Sequence, residues 1–396
     1  MINAFLTKYT TSRTAAVTLL LLALSFSAHG YKVKMQGEIV QPSNESAELA
    51  TTQNLVSPQK LLLKTASSEH SFVILLYHHV GTDTPRITSV TPEELEQHMA
   101  YLAENHTVIS LDAAINGLNN KTPFPERAVV ITFDDGYKNI LDNGHAILKK
   151  YGFEYTIFIN PAQIDLSSSQ LSWEDVKKMS KEGVTFANHT LDHLHLLDRY
   201  PGESNANWRA RIKQNISSAE ESLIKQLGYS NKWLAYPFGE FDGEVKAMLK
   251  DMGYVGFGQH SGAVSQLSDM QALPRFPAAG RYAKLDTLRT KINSLAMPVT
   301  AVRPLHYVIG AEDVAGEVNI DVLLDDIIFS RIACYFGGDS LPITKTAKGF
   351  RVDIQTPFYP GRTRVNCTAP SVKQSDRFYW YSIPFFTPKE DGMYLN

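Results

Sequence analysis

Cysteine is nearly missing from this chain of 396 residues: only Cys334 and Cys367 occur, both late in the sequence. No cysteine is available near the N-terminus for lipidation, and in an exported protein the even pair is expected to form one disulfide. An excess of either charge is also missing. With 38 basic and 41 acidic residues the net charge is −3, which leaves no electrostatic case for nucleic acid as a partner. Long apolar runs are absent too. The most apolar stretch, Ala15 to Leu24, is too short to span a bilayer comfortably.

That stretch follows Lys8 and Arg13 and precedes the small residues Ser25, Ser27 and Ala28, the three-part pattern of a secretory signal peptide over residues 1–30. An uncleaved membrane anchor is the alternative. Export places the chain in the periplasm or outside the cell, with association to the cell envelope open. Residues 31–70 are polar, with little periodicity, and read as a tether. The remaining length suffices for one large domain, residues 71–297, and a smaller one, residues 298–396.

Ala128–Val129–Val130–Ile131–Thr132–Phe133 reads as a fully buried strand, and it stops abruptly on Asp134, Asp135 and Gly136. In α/β folds ligands sit at the carboxyl ends of strands, so the two acids are expected at the mouth of a site. A solvated Asp-Asp-Gly turn is the competing reading. Downstream, the short strand-like run ending at Ala187 leads into His189 and His193. Two imidazoles four residues apart can face one point if the segment coils. With a carboxylate they make a three-ligand set that leaves coordination positions open, the arrangement of a catalytic rather than a structural metal site. His195 is read as packed or solvated.

These residues carry a resemblance. Thr132-Phe133-Asp134-Asp135-Gly136 and His189-Thr190-Leu191-Asp192-His193 resemble the first two motifs of the polysaccharide deacetylases, the NodB-like carbohydrate esterase family 4. The resemblance implies Asp134 as general base, and Asp135, His189 and His193 as ligands of a divalent metal. Zinc is expected, while cobalt, nickel or iron would also suit two imidazoles and a carboxylate.

Ser71 to Leu76 is another apolar strand, and it ends on Tyr77-His78-His79. The Tyr-His pair resembles the opening strand of a circularly permuted subgroup that acts on poly-N-acetylglucosamine, in which the acid histidine comes first in the chain. It implies His78 as general acid, with His79 as competitor. Tyr236-Pro237-Phe238-Gly239 resembles the motif that shapes the substrate groove and offers the Phe238 N–H to an oxyanion. Ala235 stands where that motif usually carries arginine. Arg275, at a later strand end, is either the substitute partner that orients Asp134 or an ordinary surface arginine. His260, in a glycine-rich turn, is read as incidental.

Strand and helix patterns alternate from residue 71 onward, with Thr91 and Ser172 as helix caps and helices over Asn139–Tyr151 and Ala206–Leu227. The expected fold is α/β, and the resemblance favours a distorted (β/α)7 barrel over an open sheet. From about Pro298 short aromatic and β-branched runs such as Ile327–Phe329, Phe350–Ile354 and Arg377–Tyr381 point to a small β-sandwich-like domain. Its aromatics read as core, with sugar stacking as the alternative. Two functional classes stand open: a metal-dependent enzyme that removes acetyl groups from a polysaccharide, and a silent polysaccharide-binding protein on the same fold. Within the first, the N-acetylated substrates are poly-N-acetylglucosamine, chitin-type polymers or peptidoglycan glycans, and O-acetylated xylan is the other possibility.

Overall fold

β1 (Ser71–Tyr77) and β2 (Ala128–Phe133) lie side by side in parallel, from Phe72 opposite Ala128 to Tyr77 opposite Phe133. The computed structural model describes residues 71–323 and 325–395. The expected leader and tether, residues 1–70, lie outside them.

Every residue of β1 and β2 is buried, and the period of two sorts their side chains between two clusters. Val73, Leu75, Tyr77, Val129, Ile131 and Phe133 join one that includes Leu95, Met99 and Leu102 of helix α1 (Pro92–Asn105). Phe72, Ile74, Ala128 and Val130 join Phe158, Ala187, Ala235 and Phe257 from later strands and Leu111 and Leu118 of helix α2 (Leu111–Asn120). A strand buried on both faces is continuously apolar for this reason.

Four more parallel strands extend the sheet: β3 (Thr156–Ile159), β4 (Thr185–Asn188), β5 (Trp233–Ala235) and β6 (Val255–Phe257). The chain then lays Ala263–Ser265 antiparallel to the start of β1. Leu273 pairs beside Phe257 of β6, with Gly258 N donating to Leu273 O at 2.9 Å. Three residues later β7 (Phe276–Pro277) runs parallel to β1. The seventh strand segment therefore touches both edges of the curl. The expected α/β barrel of seven strands takes this distorted form.

Local signals hold where they are local. Thr91 and Glu94 cap each other at the start of α1, and Ser172 and Asp175 do the same for α3 (Trp173–Lys181). α4 (Asn205–Leu227) ends at Gly228, whose φ of 82° is the left-handed turn that glycine adopts without strain. The helix expected over Asn139–Tyr151 begins as a wider π-type turn at Ile140–His145 and becomes α-helical at Ala146–Lys150.

Towards the C-terminus two further sheets face each other across their own core. One orders Leu295–Ala296, Phe378–Thr387, Gly361–Pro370, Ala333–Phe336 and Asp339–Ser340; the other orders Val299–Arg303, Gly316–Val322, Gly349–Ile354 and Ile343–Lys345. Val318, Ile320, Phe350 and Val352 from one meet Val365, Ile383 and Phe385 from the other. Cys334 and Cys367 stand directly opposite on adjacent strands and are joined in a disulfide. Ile327–Phe329 is not a strand. Asp326 accepts hydrogen bonds from the hydroxyls of Ser371 and Tyr379 and from Lys373 N, which ties this stretch into a turn, and Phe329–Arg331 coils. The aromatic residues of the last strand serve packing: Tyr379 and Phe385 are core, Trp380 meets Phe276 of β7 edge-on at 5.2 Å, and Phe386 meets Phe241 at 5.5 Å.

Candidate metal and catalytic centre

The β1–β2 ladder continues one step past the strands, where Asp134 N donates to Tyr77 O at 2.9 Å. That bond sets His78 and Asp134 beside each other on the rim. Asp135 follows with φ of 72°, a left-handed conformation that costs a non-glycine residue about 1–2 kcal/mol. Gly136 keeps the same hand at φ 70°, where a Cβ would stand 2.8 Å from Ile159 Cγ2. Strain of this kind persists where surrounding structure enforces it, and it concentrates at functional sites.

The histidine segment after β4 is coiled by its own polar residues. Asn188 Oδ1 accepts from Thr190 N, while Asn188 Nδ2 donates to Ile216 O and to Glu220 on α4. Asn215 of α4 takes Leu191 N on its oxygen and gives its amide to Asp192, both at 2.8 Å. His193 N closes on Thr190 Oγ1 at 3.1 Å, with Thr190 and His193 both at positive φ.

The result brings Asp135, His189 and His193 together. His189 Nε2 lies 3.2 Å and His193 Nε2 3.3 Å from the same oxygen, Asp135 Oδ1, and one donor atom from each residue falls within 4.8 Å of the others. His189 Nδ1 is 2.8 Å from Ala235 O. A carbonyl can only accept, so Nδ1 carries the hydrogen and Nε2 turns a lone pair toward Asp135. Asp135 Oδ1 and His189 Nε2 are both buried without a hydrogen-bond partner. Two buried acceptors this close require a positive charge between them, either a metal ion or a second proton on the ring; burial lowers His189, but Asp134 and Asp135 outweigh it and raise the imidazole. A tetrahedral ion with bonds of about 2.0–2.1 Å holds its donors roughly 3.3 Å apart, so the trio fits a divalent metal.

Asp134 is engaged otherwise. It is wholly buried, and Arg275, also wholly buried, donates Nη1 to its Oδ1 at 2.7 Å and Nη2 to its Oδ2 at 2.8 Å. Arg275 is held in turn by Gly258 O at 2.9 Å. Burial pushes the Asp134 carboxyl up, but Arg275 and His189 outweigh it and hold the group below its usual range. Asp135 is likewise pushed up by burial and pulled well down by His189 and His193.

Burial lowers His78, against the opposing pull of Asp135 and Asp134, and Arg275 and His189 also bear on it. It lies within the electric reach of the whole cluster. His79 is taken up otherwise: its ring stacks on Tyr137 at 3.6 Å and its Nδ1 receives Asn139 Nδ2 at 3.2 Å.

In the turn after β5, Tyr236, Pro237 and Phe238 part company. Tyr236 is buried and its hydroxyl donates to Gln271 O at 2.6 Å. Its side chain therefore joins the core, packed 5.0 Å from Phe241, rather than the metal trio. Pro237 is buried as well. Phe238 alone reaches the histidines. It stands at φ 57°, its ring meets His193 edge-on at 4.5 Å, and it stacks flat on His195 at 3.8 Å. The turn uses the N–H groups of Gly239 and Glu240 for its own hydrogen bonds. His195 is packed rather than solvated: it is buried, and its Nδ1 is 2.7 Å from the buried Glu240 carboxylate.

Sequence reasoning missed several members. Tyr137 stands close enough to Asp135 for the carboxylate to add to burial in raising its phenol, and its place directly after Asp-Asp-Gly was a usable signal. Glu240, directly after Pro-Phe-Gly, offered a similar one. Arg362, which donates to Phe238 O at 2.6 Å from the C-terminal sheets, offered none.

The chain matches the family model for polysaccharide deacetylase over residues 121–257. It carries a polysaccharide deacetylase domain. The match contains Asp134, Asp135, His189, His193 and the Pro237–Gly239 turn; His78 on the β1 rim and Arg275 before β7 lie outside it. The deacetylase domain is similar to YxkH of Bacillus subtilis, a protein that bears a polysaccharide deacetylase name, with 29% identity over 205 residues, covering 51% of this chain and 69% of YxkH. It is also similar to the poly-beta-1,6-N-acetyl-D-glucosamine N-deacetylase of Staphylococcus aureus, with 27% identity over 239 residues, 55% of this chain and 81% of that protein. Two solved structures share the deacetylase fold. The Streptococcus pyogenes deacetylase PplD, in complex with acetate, superposes with a TM-score of 0.50 at 22% identity over 56% of this chain and 98% of its own. IcaB from Ammonifex degensii gives 0.50 at 21% over 56% and 97%. Among the described residues no helix is long and apolar enough to cross a membrane.

Proposed function

We propose that this domain is a metal-dependent hydrolase that removes N-acetyl groups from an amino-sugar polysaccharide, with poly-N-acetylglucosamine as the first candidate, and that it acts outside the cytoplasm. The observation that carries the reading is the convergence of Asp135, His189 and His193 on one point beside an ionised Asp134 that is not needed as a ligand. The polymer is suggested by the activity for which the Staphylococcus aureus relative is named.

An amide carbonyl is a poor electrophile and neutral water a poor nucleophile. A divalent ion held by Asp135, His189 and His193, zinc in the first instance, would acidify water towards a pKa of about 7 and polarise the acetyl oxygen. Asp134, kept ionised by Arg275, accepts the proton of the attacking water. The Phe238 N–H would donate to the oxygen that gains charge as the carbonyl carbon becomes tetrahedral. His78 passes a proton to the amine nitrogen as the C–N bond breaks, releasing acetate and a free amino sugar. His78 is preferred over His79 because Asp135, Asp134, Arg275 and His189 all act on it, while the His79 ring is held by Tyr137 and Asn139.

The test is acetate release from poly-β-1,6-N-acetylglucosamine, chitin oligomers, peptidoglycan and acetylated xylan, after chelation and after return of zinc, cobalt, nickel or iron. Release from the N-acetylated polymers with metal, lost with chelator and in Asp134→Asn, is expected. Release from xylan alone would make the protein an O-acetyl esterase. Polymer binding without release under any metal would make it a silent binding protein.

A further inference from the structure

The C-terminal sheets reach the catalytic turn directly. Arg362, near the start of the Gly361–Pro370 strand, donates Nη1 to Phe238 O at 2.6 Å, and its guanidinium lies 5.6 Å from the centre of the Phe238 ring. Phe238 is in a left-handed conformation with no glycine to relieve it, so its φ must be held from outside. Three contacts hold it: the flat stack on His195, itself tied to buried Glu240, the edge contact with ligand His193, and the hydrogen bond from Arg362. The first two come from the barrel. The third comes from a strand 124 residues away in sequence. Arg362 is opposite Phe386 in the sheet, and Phe386 is packed on Phe241, the residue directly after Gly239–Glu240. The position of the guanidinium is thus set by the seating of the sheets on the barrel.

We propose that Arg362 is a positioning residue for the deacetylase centre, and that the C-terminal sheets are part of the catalytic unit. By gripping the Phe238 carbonyl, Arg362 fixes the peptide plane that follows Phe238, and with the ring held by His193 and His195 this limits both backbone torsions of Phe238 and so the aim of the N–H that meets the acetyl oxygen. The inference rests on the function proposed above. It predicts a defect in the chemical step and in acetate recognition without a defect in metal loading, because Arg362 touches none of the three ligands.

The test uses the full chain loaded with cobalt, in wild-type, Arg362→Ala and Arg362→Lys forms. Acetate binding is followed through the visible spectrum of the ion, which needs no polymer, and turnover is followed on N-acetylglucosamine oligomers. Arg362→Ala is expected to keep the metal content, the unliganded spectrum and the melting temperature of the wild type. It should bind acetate several-fold more weakly and lose roughly ten- to a hundredfold in kcat at similar KM, the scale of a misaimed oxyanion donor. Arg362→Lys, which keeps a donor and a charge, should recover part of both. Unchanged acetate affinity in Arg362→Ala would overturn the proposal, as would losses that track a fall in melting temperature or metal content. A wild-type protein that binds acetate at the cobalt ion but cleaves no polymer would sink the proposed function while leaving the role of Arg362 decided by the acetate measurement.

Discussion

Arg275 and Asp134, 141 residues apart, form a two-pronged ion pair with both oxygens and both terminal nitrogens engaged and neither side chain exposed. The family pattern usually supplies an arginine from the position occupied here by Ala235, whose carbonyl instead orients His189. Arg275→Ala leaves a buried carboxylate without its counter-charge. Loss of about 3–5 kcal/mol of stability, read by denaturant unfolding, and loss of most turnover are expected. Arg275→Lys keeps the charge but not the fork and should fall between. Undiminished turnover in the alanine variant would remove Arg275 from the orientation of Asp134.

Asn215 touches no metal ligand through its own side chain, yet it holds Leu191 N and Asp192 between the two histidines. Asn215→Ala should leave the fold intact and weaken metal affinity about 10- to 100-fold, the usual effect of removing support behind a ligand. Competition with a chromogenic chelator measures this. His189→Ala, which deletes one of the three proposed ligands, should retain no stoichiometric metal.

His78 and His79 separate by substitution. His78→Gln is expected to lower kcat by about 10²–10⁴, the range of general acid catalysis, while His79→Gln, which removes the ring stacked on Tyr137, should cost far less. The reverse order would transfer the acid role to His79.

His260 lines no part of the metal centre and makes a pH signature of its own. Burial pushes its pKa down to about 3, with Arg364 and Lys246 acting in the same direction. The unfolded chain, with an ordinary value near 6.5, binds more protons than the folded one throughout the interval between the two. Stability should therefore fall as pH drops from about 7.5 towards 3, by about 1.6 kcal/mol between pH 6.5 and 5 from this residue, and should level off above about 7.5 on its account. Melting temperatures of His260→Asn across that interval should show a shallower slope than the wild type; parallel slopes would exclude the residue.

The Cys334–Cys367 bond closes a loop of 33 residues. Replacing both by serine should destabilise the C-terminal sheets by about 3–4 kcal/mol on chain-entropy grounds. If Arg362 depends on their seating, the same variant should also weaken acetate binding, which calorimetric unfolding and the cobalt spectrum can report together.

Much of this protein was legible because its information is short-range. Apolar strands ending on Asp134, Asp135 and Tyr77-His78, the Thr91 and Ser172 caps, and the two histidines four residues apart all depend on local periodicity, turn sterics and side chains that bond their own backbone. Where locality failed, so did the reading. Tyr236 sits in the motif stretch but turns into the core, because its hydroxyl finds Gln271 O. Ile327–Phe329 has strand composition but coils, because Asp326 is captured by Ser371, Lys373 and Tyr379.

The amino-acid sequence by itself determined which side chains stand at the strand ends, and so the donor types available for a metal and a proton. Tertiary structure alone decided which strand ends meet. Arg275 reaches Asp134 only because the segment into β7 spans from β6 to β1, and Arg362 reaches Phe238 only because the last sheets dock on Phe241. Such contacts arise from the curl of a sheet and the fit of two cores, and spacing along one chain does not carry them.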